Sequence, residues 1–320
     1  MINFLKNKRS KIKENSYIRL RQVVDSYILP EAGYINLGDL SYNDCEYILD
    51  KVTNKGYSLS TIKKVYDALN GCLRWAVEKD DLLKSPMKGL EKPTKGNEII
   101  KPPKEMQPFT KDECEFIVTE AKRRYSTGRD VYRLGWLLIL ILATGLRAGE
   151  ALALLWKDVD ITAKTLLVWE TTVISEKKTS KKGARKYTTK VAERTKTSTS
   201  NREIGLNDTA VEALIELKKI TGNFERVAAT QTGGLVTHRN ILKSFHNVLR
   251  KIELQQRGLH SLRHTFASRL FESGVDVAII SSLLGHSSVQ VTIDTYIKII
   301  EEQKRKAIQV IDFLNSGNKE

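Results

Sequence analysis

Residues 91–108 constrain this chain more than any other stretch. Four of its six prolines fall there (Pro93, Pro102, Pro103 and Pro108), with Gly96 and four lysines. Proline removes a backbone donor and disfavours helix in the residue before it, so this stretch is neither a helix nor a core strand. It has the composition of a linker, the alternative being a rigid surface loop within one domain. A fresh cap-and-helix pattern at Thr110-Lys111-Asp112-Glu113 favours the linker. The chain is therefore expected to form two bodies joined across residues 91–107, which suits its 320 residues.

Residues 1–15 are basic and poor in apolar side chains, and read as a short flexible arm. Residues 16–90 read as a small helical domain. Ile18, Val23, Val24, Tyr27, Ile28 and Leu29 recur at helical spacing, and Pro30 with Gly33 closes that helix. Cap residues between Asp39 and Asp44 precede Cys45, Tyr47, Ile48 and Leu49, and Ser58-Leu59-Ser60 opens a third helix. A larger domain is expected over 108–298. Its helices read as 110–126, 130–143, 147–155, 208–219, 238–252, 261–273, 276–284 and 288–298. Thr165 to Trp169 is rich in strand formers, and 170–206 reads as strands around a polar, basic loop. A helix over 299–314 and a tail complete the chain, in residues 299–320. The expected fold is mainly α: a small helical domain plus a larger, mixed helical domain with a small antiparallel β-sheet.

Composition narrows the function. Lys and Arg outnumber Asp and Glu by 53 to 38, a formal charge of +15. That excess points to a polyanionic partner, nucleic acid first, against the plainer reading of a merely soluble basic protein. Cys45, Cys72 and Cys114 are too scattered for a disulfide framework or a metal site, which fits a reducing cytoplasm. The first residues are too basic for a signal peptide. The most apolar run, Leu134 to Leu146, is shorter than the about 20 residues that span a bilayer and reads as a core helix. No GxxxxGK[ST] stretch supports an ATP-driven reaction.

Six residues could carry chemistry on a phosphodiester. Arg147, in Thr144-Gly145-Leu146-Arg147, sits where a new helix begins; guanidinium forks and helix-start amides both suit phosphate oxygens. Glu150 lies three residues on, placed to orient it. His260 and Arg263 share a helical face, one a proton carrier near neutrality and the other a fixed cation. His260 and His264 are also spaced like a zinc pair, but neither an intervening Glu nor a third ligand is near. His264 alone reads as a core or cap residue. Lys196 lies in a basic polar loop, where a solvated charge is the plain reading. His286 follows Gly285 near a helix end. Tyr296 comes next, a weak nucleophile at its ordinary pKa of about 10 unless cations lower it or a base such as His260 takes its proton.

In this order and setting, Arg147, Lys196, His260, Arg263, His286 and Tyr296 resemble the site of the tyrosine recombinases, also called phage integrases. The resemblance runs from about residue 16 and extends to Ile28-Leu29-Pro30 and Ser85-Pro86 in the family's core-DNA-binding domain. It implies a site-specific recombinase that works through a 3′-phosphotyrosyl link, for integration or excision of a mobile element. Tyr296 is then the nucleophile, Lys196 the acid on the leaving 5′ oxygen, and His286 a donor to phosphate. No cofactor or metal is implied. The partners are duplex DNA, further copies of the chain (a tetramer on DNA) and accessory directionality or DNA-bending proteins. The setting is cytoplasmic, at the nucleoid, with no membrane. A separate arm-site domain has no room before Tyr17, so either arm sites are not used or this chain is a shortened version. The alternatives are a type IB topoisomerase, or a non-catalytic DNA-binding protein of the same fold.

The DNA surface has its own signal: Lys177, Lys178, Lys181, Lys182, Arg185, Lys186 and Lys190 crowd the loop ahead of Lys196, with Arg202 beyond it. Replacing several of these lysines by alanine is expected to flatten the dependence of log affinity on log salt, by about 0.9 for each phosphate left without its cation. Binding isotherms over a salt series measure this, and an unchanged slope would place the loop off the DNA backbone.

Overall fold

The computed structural model describes residues 1–94, 107–177, 186–192 and 201–309. They group into two compact units: Met1–Glu105 with Ile174–Thr188, and Met106–Val173 with Thr189–Glu320. Most of the proline-rich segment lies outside the described residues.

The first unit is helical. Its helices are α1 (Ile2–Arg9), α2 (Glu14–Val23), α3 (Leu29–Ala32), α4 (Tyr42–Asn54) and α5 (Leu59–Val77). The expected flexible arm is instead α1, which buries Phe4 and Leu5 while its lysines and arginine point elsewhere. Two apolar residues suffice because Phe4 packs near Trp75 of α5, ring centroids 6.1 Å apart. A π-turn over Val24–Ile28 joins α2 to α3, so Pro30 sits in the first turn of α3 rather than closing a helix. Ser41 and Asp44 form a reciprocal capping box at the start of α4. From there Cys45, Ile48, Leu49 and Val52 turn one stripe inward, facing Ile62, Val65, Leu69 and Leu73 of α5.

The second unit opens with α6 (Lys111–Ala121), capped by Thr110 and Glu113. It ends short of the expected 126, where a turn places the Gly128 amide on the Tyr125 carbonyl. Next come α7 (Gly135–Thr144) and α8 (Ala148–Ala153), then β1 (Val159–Asp160), β2 (Thr165–Val168) and β5 (Arg202–Gly205), while β3 (Thr171–Lys177) and β4 (Lys186–Ala192) are divided between the units at Ile174 and Thr188. The chain continues through α9 (Asp208–Thr221), α10 (His238–Lys251), α11 (His260–Glu272), α12 (Val277–Leu284) and α13 (Val289–Gln309). The sequence pattern predicts two helices from residue 288 onward, meeting at 298–299. Two helical stretches are found within α13, separated by non-helical backbone slightly earlier, at Tyr296 (φ −115°, ψ 18°).

Helix α7 is the apolar run. Trp136 through Ile141 are all buried, as a helix apolar on every side must be. Its neighbours in the core are α6, α9, α10 and α11. The sheet order is β1-β2-β5, antiparallel, with Val168 opposite Arg202 and Leu166 opposite Ile204. Strand alternation turns Arg202 and Ile204 to the same inner face, while Glu203 and Gly205 point out. A second ladder joins β3 to β4. No helix among the described residues is long and apolar enough to cross a membrane.

Helix α7 stops at Gly145, whose φ of +67° lies in the left-handed region. A Cβ there would come within 2.4 Å of the Phe266 ring. Gly145→Ala is expected to lower the unfolding free energy by about 2–4 kcal/mol, from backbone strain and overlap together. Denaturant titration measures it, and a loss below about 1 kcal/mol would mean the turn yields.

Candidate active site

One carboxylate organises the site. Arg147 is the N-cap of α8, and its amide donates to Glu150 Oε2 at 2.8 Å while its Nη1 donates to Oε1 at 2.8 Å. Arg202, brought in by β5, donates through Nη1 to Oε1 at 3.2 Å and through Nη2 to Oε2 at 2.8 Å. Glu150 and Arg202 are each only 7% exposed at their side chains. Burial alone would raise the Glu150 carboxyl. The Arg202 hydrogen bonds and charge, and then the Arg147 charge and amide, outweigh it and hold the group down to about 2.

The arginines also meet at the end of α12. Arg202 Nε donates to the Leu283 carbonyl at 2.8 Å, Arg263 Nη2 to Leu284 at 2.6 Å, and Arg147 Nη2 to Gly285 at 3.0 Å. Three successive carbonyls thus each receive a different guanidinium. Helix C-terminal carbonyls lack intrahelical donors and carry the negative end of the macrodipole, so cations fit there. Arg263 also donates to Gly145 O at 2.9 Å, which ties the end of α7 to the end of α12. Gly285 turns in the left-handed region (φ +61°), and a Cβ there would sit 2.9 Å from Arg202 Nη1. Arg263 is only 1% exposed. Burial first, and Arg147 next, pull it down to about 9, still charged at neutral pH.

His286 follows that turn, and its Nδ1 lies 2.7 Å from Thr292 Oγ1 at the start of α13. Burial, then Arg263 and Arg147, push it down to about 4. The Tyr296 ring sits among Ala267, Phe271, Ile280 and Leu284 and is only 5% exposed. Its hydroxyl lies 2.8 Å from Nδ1 of His264. Burial raises Tyr296 to about 12, with Arg263 pulling the other way. His264, which the sequence reads as a core or cap residue, is buried one turn along α11 from exposed His260, and its Nδ1 meets the phenol.

Arg147, Glu150, His260, Arg263, His286 and Tyr296 are thus brought into one neighbourhood. Arg202 is corrected. The sequence groups it with the DNA-facing cations, yet its guanidinium is committed to Glu150 and Leu283; the inward register of Arg202 and Ile204 is the signal that places it. Lys196, Lys178, Lys181, Lys182 and Arg185 lie outside the described residues. For Lys177 and Lys186 only the backbone is described, in β3 and β4; Lys190 is exposed on β4.

The profile of the phage integrase family matches residues 107–303. A tyrosine recombinase XerC-like protein of Caldanaerobacter subterraneus subsp. tengcongensis is 30% identical over 283 residues, covering 83% of this chain and 69% of the relative. A prophage integrase, IntR, of Escherichia coli K12 is 22% identical over 336 residues, covering 97% and 75%. Among solved structures, the Tn1549 transposon integrase in complex with a circular intermediate DNA superposes with a TM-score of 0.71 at 18% identity, covering 95% of this chain and 98% of that one. A lambda integrase tetramer bound to a Holliday junction gives 0.66 at 19%, covering 89% and 76%. These two likenesses speak for the fold.

Glu150→Gln is expected to lower stability at neutral pH by about 3–5 kcal/mol, because two guanidinium groups lose their counter-charge. The Glu150 carboxyl is depressed from 4.5 to about 2. Its ionisation therefore stabilises fully above about pH 5, and that contribution, about 3 kcal/mol, is lost as the pH falls towards 2. Denaturation at a series of pH values should show the gap between wild type and variant closing in that window. A pH-independent gap would mean that shape, not charge, holds the arginines.

Proposed function

The chain belongs to the phage integrase family, the tyrosine recombinases, and we propose that it cuts and rejoins DNA strands through a 3′-phosphotyrosyl intermediate on Tyr296, to integrate or excise a mobile element. As a member of that family it is a site-specific recombinase. The observation that carries the chemical reading is Tyr296 lying in the same site as Arg147, Arg263 and His286, close enough for the Arg263 charge to act on the phenol.

A phosphodiester resists attack until the charge on its non-bridging oxygens is met. Arg147, with a 37% exposed side chain, supplies a fork at the mouth of the site. Arg263 adds buried charge behind it, and His286 a hydrogen-bonding ring. Tyr296 Oη attacks phosphorus as its proton passes to a base such as His260, and the P–O5′ bond breaks. Lys196 protonates the departing 5′ oxygen; its place in the Lys196-Thr197 sequence resembles that of the family's general acid. A partner strand's 5′-OH then attacks the phosphotyrosine and releases the phenol. The bond exchanged is of one kind throughout, so the chemistry itself calls for no ATP.

Duplex DNA is the proposed substrate, and a tetramer on DNA the working assembly. The formal charge of +15 supports the first. The Tn1549 and lambda integrase complexes, with a circular intermediate DNA and with a Holliday junction, support both by analogy of fold.

Tyr296→Phe is expected to bind DNA normally and to form no covalent complex with a nicked suicide duplex, read on a denaturing gel. Lys196→Ala is expected to regain cleavage on a duplex with sulfur at the 5′ bridging position, since thiolate leaves without a proton, whereas Arg147→Ala is not. A normal adduct yield from Tyr296→Phe would overturn the nucleophile, and equal rescue of both other variants would remove Lys196 as the acid.

A further inference from the structure

Residues 107–109, just ahead of α6, are fastened to side chains 150–160 positions later. The Phe109 amide donates to Thr265 Oγ1 at 2.9 Å, and Arg269 Nη2 donates to the Phe109 carbonyl at 2.8 Å. Arg257 Nη1 donates to the Gln107 carbonyl at 3.1 Å, and its guanidinium lies 4.2 Å from the centre of the Phe109 ring. Phe109 is fully buried, its ring edge-on to Phe245 of α10.

The plainer reading is a hydrophobic staple. Phe109 precedes the Thr110 cap of α6, and Sγ of Cys114, the fourth residue of that helix, lies 4.0 Å from its carbonyl. A staple needs only that local contact. It does not account for Arg257, Thr265 and Arg269, which hold the backbone of residues 107 and 109 by directed bonds. Arg269 is held in place at a cost, since its Nε is buried without a partner among the described residues.

Helix α11 depends on such bonds. Most of the residues it buries are polar, among them Ser261, Arg263, Thr265 and Ser268. Apolar contact is non-directional, so a helix with little of it is registered chiefly by its hydrogen bonds. With 3.6 residues per turn, His260 and Arg263 lie on one side of α11, and Thr265 and Arg269 on the other. On the first side, Arg263 is bonded to the Gly145 and Leu284 carbonyls. On the second, Thr265 and Arg269, one turn apart, grip a single residue, Phe109. Thr265 Oγ1 gives its one proton to the Ser261 carbonyl at 2.8 Å and meets the Phe109 amide with a lone pair.

We propose that Phe109, Thr265 and Arg269 are positioning residues for strand cleavage, which rests on the reading of this site as the cleavage site: they fix α11 along and about its axis and so set His260 and Arg263 against the scissile phosphate. They act from the far side of the helix, not on the reacting atoms. A phosphate entering the site pulls on the Arg263 charge, and the bonds to Phe109 keep the helix from following it. A displacement of about 1 Å is enough to slow a reaction about 10²-fold.

Single-turnover cleavage of a nicked suicide duplex at saturating protein tests this, beside a binding isotherm and a melting curve for each variant. Thr265→Val keeps the shape and removes the acceptor, while Thr265→Ser keeps the hydroxyl. Arg269→Met removes the second bond, and Leu217→Ala unsettles the same core from α9. Thr265→Val and Arg269→Met are expected to bind the duplex like wild type and to form the covalent adduct about 10–10²-fold more slowly, with Thr265→Ser near the wild-type rate. Leu217→Ala is expected to melt earlier yet to cleave at the wild-type rate while folded. Wild-type cleavage by Thr265→Val or Arg269→Met would overturn the proposal. So would an equal slowing in Leu217→Ala, which would make the bonds to Phe109 a matter of stability alone. Should Thr265→Val not fold, Arg269→Met decides, because that side chain is 38% exposed and its removal leaves no buried charge behind. No adduct from wild type would bring down the cleavage reading, and the positioning role with it.

Discussion

Two guanidinium groups share one buried carboxylate at Glu150. Taking such charges out of water is costly, and only near-complete hydrogen bonding offsets it. Glu150 accepts from Arg147 twice and from Arg202 twice. With those bonds made, Arg147 Nη2 is directed to the Gly285 carbonyl and Arg202 Nε to the Leu283 carbonyl. The start of α8, the start of β5 and the end of α12 are therefore located by a single side chain. The turn that carries His286 and leads to Tyr296 depends on it.

The same crowding separates the roles of the ionisable groups. Arg147, Arg202 and Arg263 gather positive charge at one place. Burial first, then the His260 and Arg263 charges for His264 and the Arg263 and Arg147 charges for His286, hold both imidazoles near 4. These two histidines are thus neutral at physiological pH. Tyr296 is kept protonated by its apolar surroundings, with Arg263 opposing them. An anion entering such a site meets charge already fixed in place, so little reorganisation is required.

Short-range patterns are legible without any coordinates. Arg147 with Glu150, His260 with Arg263, and Gly285 with His286 each lie within one helical turn or at a cap, where spacing alone implies proximity. The caps Ser41 and Thr110 likewise mark helix starts by a local hydrogen bond. Helix α1 escapes notice because only Phe4 and Leu5 face inward among many charges, too short a pattern to register. The break in α13 falls on Tyr296, two residues before the helix boundary that the sequence pattern places at 298–299.

Periodicity and composition thus indicate a mostly helical chain with a small sheet and an excess of basic residues, and the family resemblance adds an ordered set of candidate phosphate-binding residues. They do not say which charged or polar group is turned away from water. Arg202 reads like any other cation of a basic loop until Glu150, 52 positions earlier, is folded against it. His264 reads like packing until Tyr296, 32 positions later, puts its hydroxyl on Nδ1. Both pairings come from elements that meet only after the chain has collapsed. The free energy of a buried ion pair or hydrogen bond depends on how completely its partners replace water, and that is set by the packed neighbours rather than by distance along the chain.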